Sequence, residues 1–284
     1  MRAGLCLTID VEQDYGRAGT YGVLDKAAPF IDWIREEKIP VTAFVIGRLF
    51  QEGHPIIDSL LNAGASLGVH GFSHSPGIFR DMHTNHADEI NKGLAAFERR
   101  VGRKPAGYRA PAGVISRDDV LMIDKLGFRY DASVFPMRRP IRYDFSQLPK
   151  SPFRWNGTGL VEIPFGLLTR RLPAGMSFIN LFGPKLSAYL ARRMTAGSHD
   201  GDPAYYVTDI HLHNLFTSYQ AMGCLPFAMR LIYLAGSFTG GFPTLVKFVD
   251  SMRHQGFVLY DLEAYALSLK AEQLPVVNMD CFDV

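Results

Sequence analysis

The sequence predicts an α/β fold in which parallel strands and helices alternate and the sheet curls into a distorted (β/α) barrel. In the first half, short apolar and β-branched runs alternate with segments of helical periodicity, as in a parallel sheet with helical crossovers. Irregular insertions interrupt this pattern at about residues 137–205 and 215–240. With 284 residues and 47% hydrophobic content, the chain can bury a substantial core. We expect a single domain over residues 1–284, because no linker is evident.

The predicted elements follow from hydrophobic periodicity, β-branched content and turn residues. In the first half we expect strands at 4–10, 41–46, 66–70, 107–110 and 128–133, and helices at 24–37, 55–63, 87–101 and 117–126. In the second half we expect strands at 160–164, 205–213 and 257–260, a helix at 242–255, and a polar C-terminal tail.

Composition and termini restrict the class of protein. The formal net charge is +2, so the chain lacks the basic surplus typical of nucleic-acid binding. Its three cysteines are far apart and odd in number, which favours reduced thiols in a cytosolic protein over a disulfide framework. Residues 1–10 carry one basic residue and reach an acid at once, unlike a secretory signal. We therefore expect a cytoplasmic protein.

Two histidines four residues apart follow the predicted strand at 66–70. A strand that ends in a glycine-containing turn presents side chains at the carboxyl edge of the sheet, where ligands of α/β folds collect. His70 and His74 would face one point there and bind a metal such as zinc together with a carboxylate from elsewhere. The competing interpretation is that one histidine is a hydrogen-bonded core group and the other a solvated turn residue.

The carboxylate is expected from the end of the first strand, where three acids cluster. Asp10 and Glu12 are two residues apart and share one face of a strand, so Glu12 can join Asp10 at the site. Asp14 is a rival ligand. Alternatively, Glu12 or Asp14 caps the turn or helix that follows. Other strand ends bring further polar side chains to the same edge, namely Arg109, Asp131 and His213.

Five segments in this order resemble the motifs of the polysaccharide deacetylase family, the NodB-homology or carbohydrate esterase 4 group. They are Thr8-Ile9-Asp10-Val11-Glu12, His70-Gly71-Phe72-Ser73-His74, Arg109-Ala110-Pro111-Ala112-Gly113, Tyr130-Asp131-Ala132-Ser133 and Ile210-His211-Leu212-His213. The Asp-x-Glu opening most resembles the branch associated with exopolysaccharide synthesis loci. The resemblance implies a distorted barrel of the NodB type and a metal-dependent N-deacetylase of amino sugars.

The resemblance also implies a role for each matching residue. Glu12, His70 and His74 would bind one divalent metal, zinc by default, although cobalt, nickel or another first-row metal suits such ligands. Asp10 would be the catalytic base. Arg109 would orient that base, and the backbone N–H near Ala112 would face the oxyanion.

His213 would be the general acid that protonates the leaving amine, because it aligns with the final histidine of the family, and Asp131 would support the arginine or histidine network. His211 lies on the same face of the predicted strand. It is a structural neighbour, a supporting partner of the site, or the acid itself.

Two other interpretations of the same residues stay open. One is a different amide substrate on the same fold, as in a deformylase of a polyprenyl-linked aminosugar or an allantoinase-like hydrolase. The other is a catalytically inactive relative that binds glycans. The combination of Asp10, Arg109 and His213 argues against the inactive relative, since a binding protein needs no base, orienting arginine and acid together.

The insertion at about 137–205 suggests the substrate. Apolar residues from Phe178 to Phe182 lie between the arginine pairs 170–171 and 192–193. Short apolar helices edged by arginine suit the headgroup boundary of a bilayer, although packing on the barrel explains them equally well. The resemblance implies an N-acylated amino sugar as the substrate. The membrane interpretation of this segment would make that sugar a lipid-linked intermediate, met at the inner face of the membrane through peripheral contact.

Overall fold

The fold is known from a computed structural model that describes residues 3–14, 19–75, 77–140, 142–169, 171–195, 205–217 and 240–282, together with 227, 230 and 231. Fifteen strands are present in the described residues. In chain order they are β1 Gly4–Val11, β2 Val41–Val45, β3 Ser66–Val69, β4 Gly107–Tyr108, β5 Tyr130–Asp131, β6 Arg138–Arg139, β7 Tyr143–Asp144, β8 Phe153–Trp155, β9 Val161–Glu162, β10 Leu167–Thr169, β11 Leu172–Pro173, β12 Tyr205–Val207, β13 Ile210–His211, β14 Val258–Leu259 and β15 Val276–Val277.

Ten α-helices are described, and the first five connect strands that are neighbours in the sheet. They are α1 Ala28–Glu36, α2 Gly47–Glu52, α3 Ile56–Asn62, α4 Ala87–Val101, α5 Arg117–Leu126, α6 Met176–Phe182, α7 Pro184–Thr195, α8 Leu212–Leu215, α9 Gly241–His254 and α10 Leu262–Ser268. None of the helices in the described residues is both long and apolar enough to span a membrane.

Eleven of the strands form one curled sheet, a half-barrel, in the order β12-β1-β2-β3-β4-β5-β9-β8-β15, with β13 and β14 also paired to β1. The pairs are parallel, except that β8 runs antiparallel to β9. This arrangement confirms the predicted α/β barrel-like class. Because the carboxyl ends of parallel strands meet at one edge, polar residues at those ends are brought together.

Strand β1 organises that edge. All eight of its residues are buried, which explains why it is nearly continuously apolar in sequence. It pairs with β2 on one side and with β12, β13 and β14 on the other. In the β13 pairing, Asp10 lies opposite His211. Two polar residues distant in sequence are therefore neighbours across one ladder.

Helices α4 and α5 have the predicted bounds because their ends are encoded locally. Ser116 accepts a hydrogen bond from the Asp119 N–H, and the Asp119 side chain accepts one from the Ser116 N–H, which forms a capping box at the start of α5. Gly102 and Gly127 end the two helices with φ values of 76° and 90°, which glycine adopts readily.

Three predictions are wrong in detail. The predicted helix at 24–37 begins as a 3-10 turn, Leu24–Lys26, before α1. The predicted strand at 205–213 breaks after Val207, and α8 starts at Leu212, so His213 lies on a helix. The predicted C-terminal tail contains α10 and β15, and β15 extends the sheet by pairing with β8.

The first predicted insertion, at about 137–205, contains the hairpins β6–β7 and β10–β11 and the helices α6 and α7. Most of the second, at about 215–240, lies outside the described residues, as does Arg170. In the first insertion, Ile179 and Ala188 are buried in the core, whereas Leu181 and Tyr189 are exposed. The insertion therefore both packs on the sheet and presents an apolar surface.

Candidate metal and catalytic site

The end of β1 places two carboxyl groups in the site and directs a third away from it. Asp10 and Glu12 are 4% and 8% exposed and point to the same side. Asp14 accepts hydrogen bonds from the Thr20 hydroxyl at 2.7 Å and from the Val23 N–H at 2.8 Å. The Asp14 carboxylate thus holds the loop before α1, and Glu12 is the acid that faces the histidines.

A backbone carbonyl fixes the tautomer of His70. Its Nδ1 lies 2.9 Å from the Arg109 carbonyl oxygen, which can only accept, so Nδ1 carries the proton. The Nε2 atom is left with a lone pair, and it is buried without a hydrogen-bond partner. Burial lowers the pKa of His70 to about 4, which keeps the ring neutral and able to bind a metal.

His74 reaches the same point from an unusual backbone conformation. Its φ is 49°, and Gly71 in the same turn has a φ of 64°. The turn brings the rings of His70 and His74 to a centroid distance of 5.4 Å. The Nε2 atom of His74 lies 2.9 Å from Glu12 Oε2, and that of His70 lies 3.8 Å from the same oxygen.

These three residues fit a divalent metal. One donor atom from each of Glu12, His70 and His74 lies within 4.8 Å of the others. Two imidazole nitrogens and a carboxylate oxygen are a common ligand set for catalytic zinc, and they leave coordination positions open. The unpartnered Nε2 of His70 supports this interpretation, because a buried imidazole nitrogen normally has a hydrogen-bond partner or a metal.

Asp10 is paired with a buried arginine. Arg109 donates from Nη1 to Asp10 Oδ1 at 2.8 Å and from Nε to the Ala132 carbonyl at 3.0 Å. Its guanidinium lies between the rings of Phe44 and Phe165, 4.1 and 4.3 Å from their centroids. Burial alone would raise the pKa of Asp10, but the charges of Arg109 and nearby histidines reverse this and lower it.

His211, rather than the predicted His213, forms the close contacts with Asp10 and Glu12 in the described residues. Its Nε2 is 3.7 Å from Asp10 Oδ2 and 3.6 Å from Glu12 Oε1. Its Nδ1 is 3.5 Å from Asp209 Oδ1. Burial lowers the pKa of His211, but the three carboxylates outweigh burial and raise it. The sequence interpretation overlooked Asp209, although its i, i+2 spacing to His211 is a signal for a shared strand face.

His213 occupies a different environment, on α8. Its ring centroid is 4.8 Å from that of His211, and both side chains line the same cavity. Burial and then the positive charge of His211 lower the pKa of His213 to about 3. At neutral pH this ring is therefore uncharged, whereas His211 more readily carries a proton.

Asp131 lies beneath the Arg109 loop. It accepts a hydrogen bond from the Ser133 hydroxyl at 2.6 Å, and that hydroxyl accepts one from the Ala110 N–H at 2.7 Å. In the described residues, the structure pairs neither Arg109 nor His213 with Asp131. Its neighbour is instead Glu162, and burial raises the pKa of both carboxyl groups.

The site opens into one cavity of about 700 Å³. The turn at Pro111–Gly113, where Ala112 has a φ of 57°, lines this cavity beside Asp10 and Glu12. The wall also includes four aromatic rings and three arginines, namely Phe79, Phe135, Phe165, Phe178, Arg80, Arg139 and Arg142. The cavity has room for a substrate group next to the histidines and acids.

The polysaccharide deacetylase family model matches residues 14–130. This range includes both metal-site histidines and Arg109 but begins after Asp10 and Glu12. A peptidoglycan deacetylase-like protein of Gibberella zeae is 28% identical over 94 residues, which are 33% of this chain and 28% of that protein. The match thus spans less than a third of the curated relative.

Solved structures share the fold. A Mycobacterium smegmatis protein assigned as a polysaccharide deacetylase has a TM-score of 0.63 at 18% identity, with 96% of this chain and 92% of that chain covered. A Pseudomonas aeruginosa protein with the same assignment has a TM-score of 0.60 at 12% identity, covering 94% and 90%. A CE4 family pseudoenzyme from Bacillus anthracis has a TM-score of 0.54 at 14% identity, covering 98% and 69%. The family model thus matches the first half of the chain in part, and the solved structures show that the whole chain shares their fold.

Proposed function

We propose that this protein is a metal-dependent hydrolase that removes an N-acetyl group from an amino sugar of a glycan, in the branch associated with exopolysaccharide synthesis. The observation that supports the proposal is the geometry at one cavity, where a candidate metal triad lies beside a carboxylate paired with a buried arginine. Hydrolysis adds water across the amide C–N bond and yields acetate and a free amine.

Glu12, His70 and His74 would hold the metal, with zinc the default from their chemistry. When bound, such an ion supplies polarisation of the acyl carbonyl and lowers the pKa of water at the site. Asp10 is ionised and accepts the proton of the attacking water through Oδ2, since Oδ1 is engaged by Arg109. The N–H of Ala112, in the cavity wall, is the proposed oxyanion donor.

The proton for the leaving amine is better supplied by His211 than by the predicted His213. The raised pKa of His211 favours its protonated form, and the Asp209 carboxylate lies 3.5 Å from its Nδ1 while its Nε2 lies on the side of Asp10 and Glu12. His213 would pack against the ring of His211, whose centroid lies 4.8 Å from its own. Asp131 would have a structural role, because it accepts a hydrogen bond from Ser133, which in turn holds the Arg109–Gly113 loop through the Ala110 N–H.

Metal analysis and an N-acetyl release assay test this function together. The wild type should bind about one divalent ion and release acetate from N-acetylglucosamine oligomers, whereas His70→Ala should lose both. The exposed His83 provides the matched control, so His83→Ala should behave like the wild type. Equal metal content in the wild type and His70→Ala would contradict the metal site.

The assay also separates the alternatives. Release of formate from N-formyl sugars, or ring opening of a cyclic amide, would place the same chemistry on another amide. The fold shared with a pseudoenzyme leaves an inactive glycan-binding relative as the third possibility. Metal binding without hydrolysis of any of these amides would favour that relative.

We further propose that the glycan is a lipid-linked intermediate met at a membrane surface. Leu181, Leu186 and Tyr189 on α6 and α7 are 69%, 48% and 53% exposed, and the exposed Arg192 and Arg193 lie nearby. Such a surface suits an anionic bilayer. Phe178 instead lines the cavity, so it contributes to the substrate site.

Flotation with anionic vesicles tests the contact. Binding should weaken at high salt and in Leu181→Asp with Leu186→Asp, whereas Leu121→Asp on α5, a leucine that is 45% exposed, should have no effect. If the wild-type protein does not float with the vesicles at low salt, the proposed membrane contact is wrong.

A further inference from the structure

Three arginines line one side of the active-site cavity. Arg80 belongs to the segment after His74, and Arg139 and Arg142 belong to β6 and the turn that follows it. We call these three residues the arginine wall. The catalytic residues proposed above lie at strand ends, so the arginine wall is a separate feature of the same cavity.

Contacts between the two segments hold the arginine wall together. Arg142 donates from Nη1 to the Phe79 carbonyl at 3.3 Å, which ties the β6–β7 turn to the segment that carries Arg80. Arg139 donates from Nη1 to the Ala112 carbonyl at 3.0 Å, and its guanidinium lies 4.7 Å from the centroid of Phe135. Arg139 is thus fixed beside the turn proposed to supply the oxyanion donor.

No salt bridge among the described residues neutralises the charges of the arginine wall. In the described residues, none of the three forms a salt bridge within 4.0 Å, whereas their neighbour Arg138 pairs with Asp144 at 3.7 Å. A guanidinium has five N–H donors, and the described hydrogen bonds of these arginines use few of them. The remaining donors and three positive charges are available to a ligand in the cavity.

Acidic groups of the cavity do not compensate these charges. Asp10 is held by Arg109, Asp14 holds the loop before α1, and Glu12 is shared by the metal-site histidines. The positive charge of Arg139 reaches Asp209, but the two side chains form no salt bridge. The cavity therefore combines the proposed metal and proton-transfer groups with surplus positive charge on the arginine wall.

We propose that the arginine wall binds a phosphate group carried by the amino-sugar substrate, an inference that rests on the proposed function. Phosphate presents several oxygens to several guanidinium groups, whereas one planar fork suffices for a carboxylate. The phosphate comes either from a nucleotide diphosphate sugar or from a lipid-linked sugar phosphate. The substrate is then a biosynthetic intermediate that still carries its activating phosphate.

Calorimetry with two sugars tests the arginine wall. N-acetylglucosamine 1-phosphate should bind the metal-loaded wild type about tenfold or more tightly than the methyl glycoside of N-acetylglucosamine. This preference should shrink between about 0.01 M and about 1 M salt, because the arginines are partly exposed. Equal affinity for the two sugars would overturn the proposal.

Substitutions in the arginine wall test which residues produce the preference for the phosphorylated sugar. Arg80→Gln and Arg142→Gln should each reduce it about tenfold, the effect of losing one charge-assisted contact. Arg80 makes no described hydrogen bond, so its variant tests charge without loosening a loop. Arg138→Gln is the matched control, since Arg138 is exposed and outside the cavity wall. An equal loss in Arg138→Gln would show a general surface-charge effect and would also overturn the proposal.

Measurements of turnover distinguish the two sources of the phosphate. They also separate the proposed function from phosphate binding by the arginine wall. Release of acetate from uridine diphosphate N-acetylglucosamine would identify the nucleotide source, and release from a short-chain polyprenyl diphosphate sugar in detergent would identify the lipid source. Phosphate-dependent binding without hydrolysis of any sugar would refute the proposed function and retain the arginine wall. Hydrolysis of neutral oligomers without phosphate preference would do the reverse.

Discussion

The sheet contains two pairs of buried carboxyl groups at strand ends, and their surroundings are opposite. Asp10 and Glu12 face Arg109 and the site histidines, which lower the pKa of both carboxyl groups despite burial. Asp131 and Glu162 face each other with serine and backbone donors, and burial raises the pKa of both. The same side-chain chemistry is thus ionised in one pair and retains a proton in the other.

The comparison shows that cations decide what a buried carboxyl group can do. A pair surrounded by positive charge can accept a proton or bind a metal at neutral pH. A pair without a cation shares a proton and serves as a hydrogen-bonding element of the core. We therefore expect substitutions in the first pair to change catalysis and substitutions in the second to change stability.

The largest effect is expected for Asp10→Asn. Asparagine retains an oxygen for Arg109 but cannot accept the proton of water, so turnover should fall about a hundredfold or more. Metal content should stay at the wild-type level, since the proposed ligands are Glu12, His70 and His74. Acetate release and elemental analysis on the same sample measure both. Wild-type turnover in this variant would remove Asp10 from the role of base.

The second prediction concerns the histidines next to that pair. His211→Ala should lower turnover about a hundredfold, because a positioned proton donor is lost. His213→Ala should cost less than about tenfold. Comparing the two variants under identical metal loading makes each the control for the other. If His213→Ala were the more damaging, the acid would be His213, as the sequence alone indicated.

A third variant, Asp131→Ala, addresses the second pair. Removing the acceptor of Ser133 should destabilise the fold by about 1–3 kcal/mol, because a buried hydroxyl loses its partner. Urea unfolding measures this loss, and metal content should not change. A normal unfolding midpoint combined with lost metal would contradict a purely structural role.

The smallest effect is expected for Glu162→Gln. Its raised pKa means that the folded protein retains a proton which the unfolded chain releases, so this stability is present at low pH and lost as pH rises through the folded pKa. Glutamine preserves the acceptor for the Val134 N–H and cannot ionise. At about pH 4, where the side chain at position 162 is neutral in both proteins, the unfolding free energies should agree within about 0.5 kcal/mol. As the pH rises above the unfolded pKa of glutamate, the variant should become the more stable, and a parallel decline of both proteins would count against the retained proton.

The sequence predicts most elements of the first half, because their signals are local. The capping box at Ser116 and the glycines after α4 and α5 define helix ends within a few residues. The alternation of strands and helices likewise predicts a parallel sheet, and hence the common edge where Asp10, His70 and Arg109 meet.

Other features depend on distant contacts. The strand at 205–213 breaks near Thr208, whose side chain and backbone bond with Thr8 on β1, and no local pattern indicates this break. The break turns His213 onto a helix and leaves His211 opposite Asp10. The arginine wall is equally non-local, since Arg80 and Arg142 are joined by a single hydrogen bond to the Phe79 carbonyl.

The location of the arginine wall has a consequence for the evolution of substrate preference. Asp10, His70 and His211 lie at the edge of the eleven-stranded sheet, whereas the arginine wall lies on segments outside that sheet. If the proposed function holds, mutations in residues 77–80 and 139–142 can alter substrate preference without changing the proposed metal ligands and base. A directed-evolution library confined to these two segments should retain amide hydrolysis and diversify the sugars accepted.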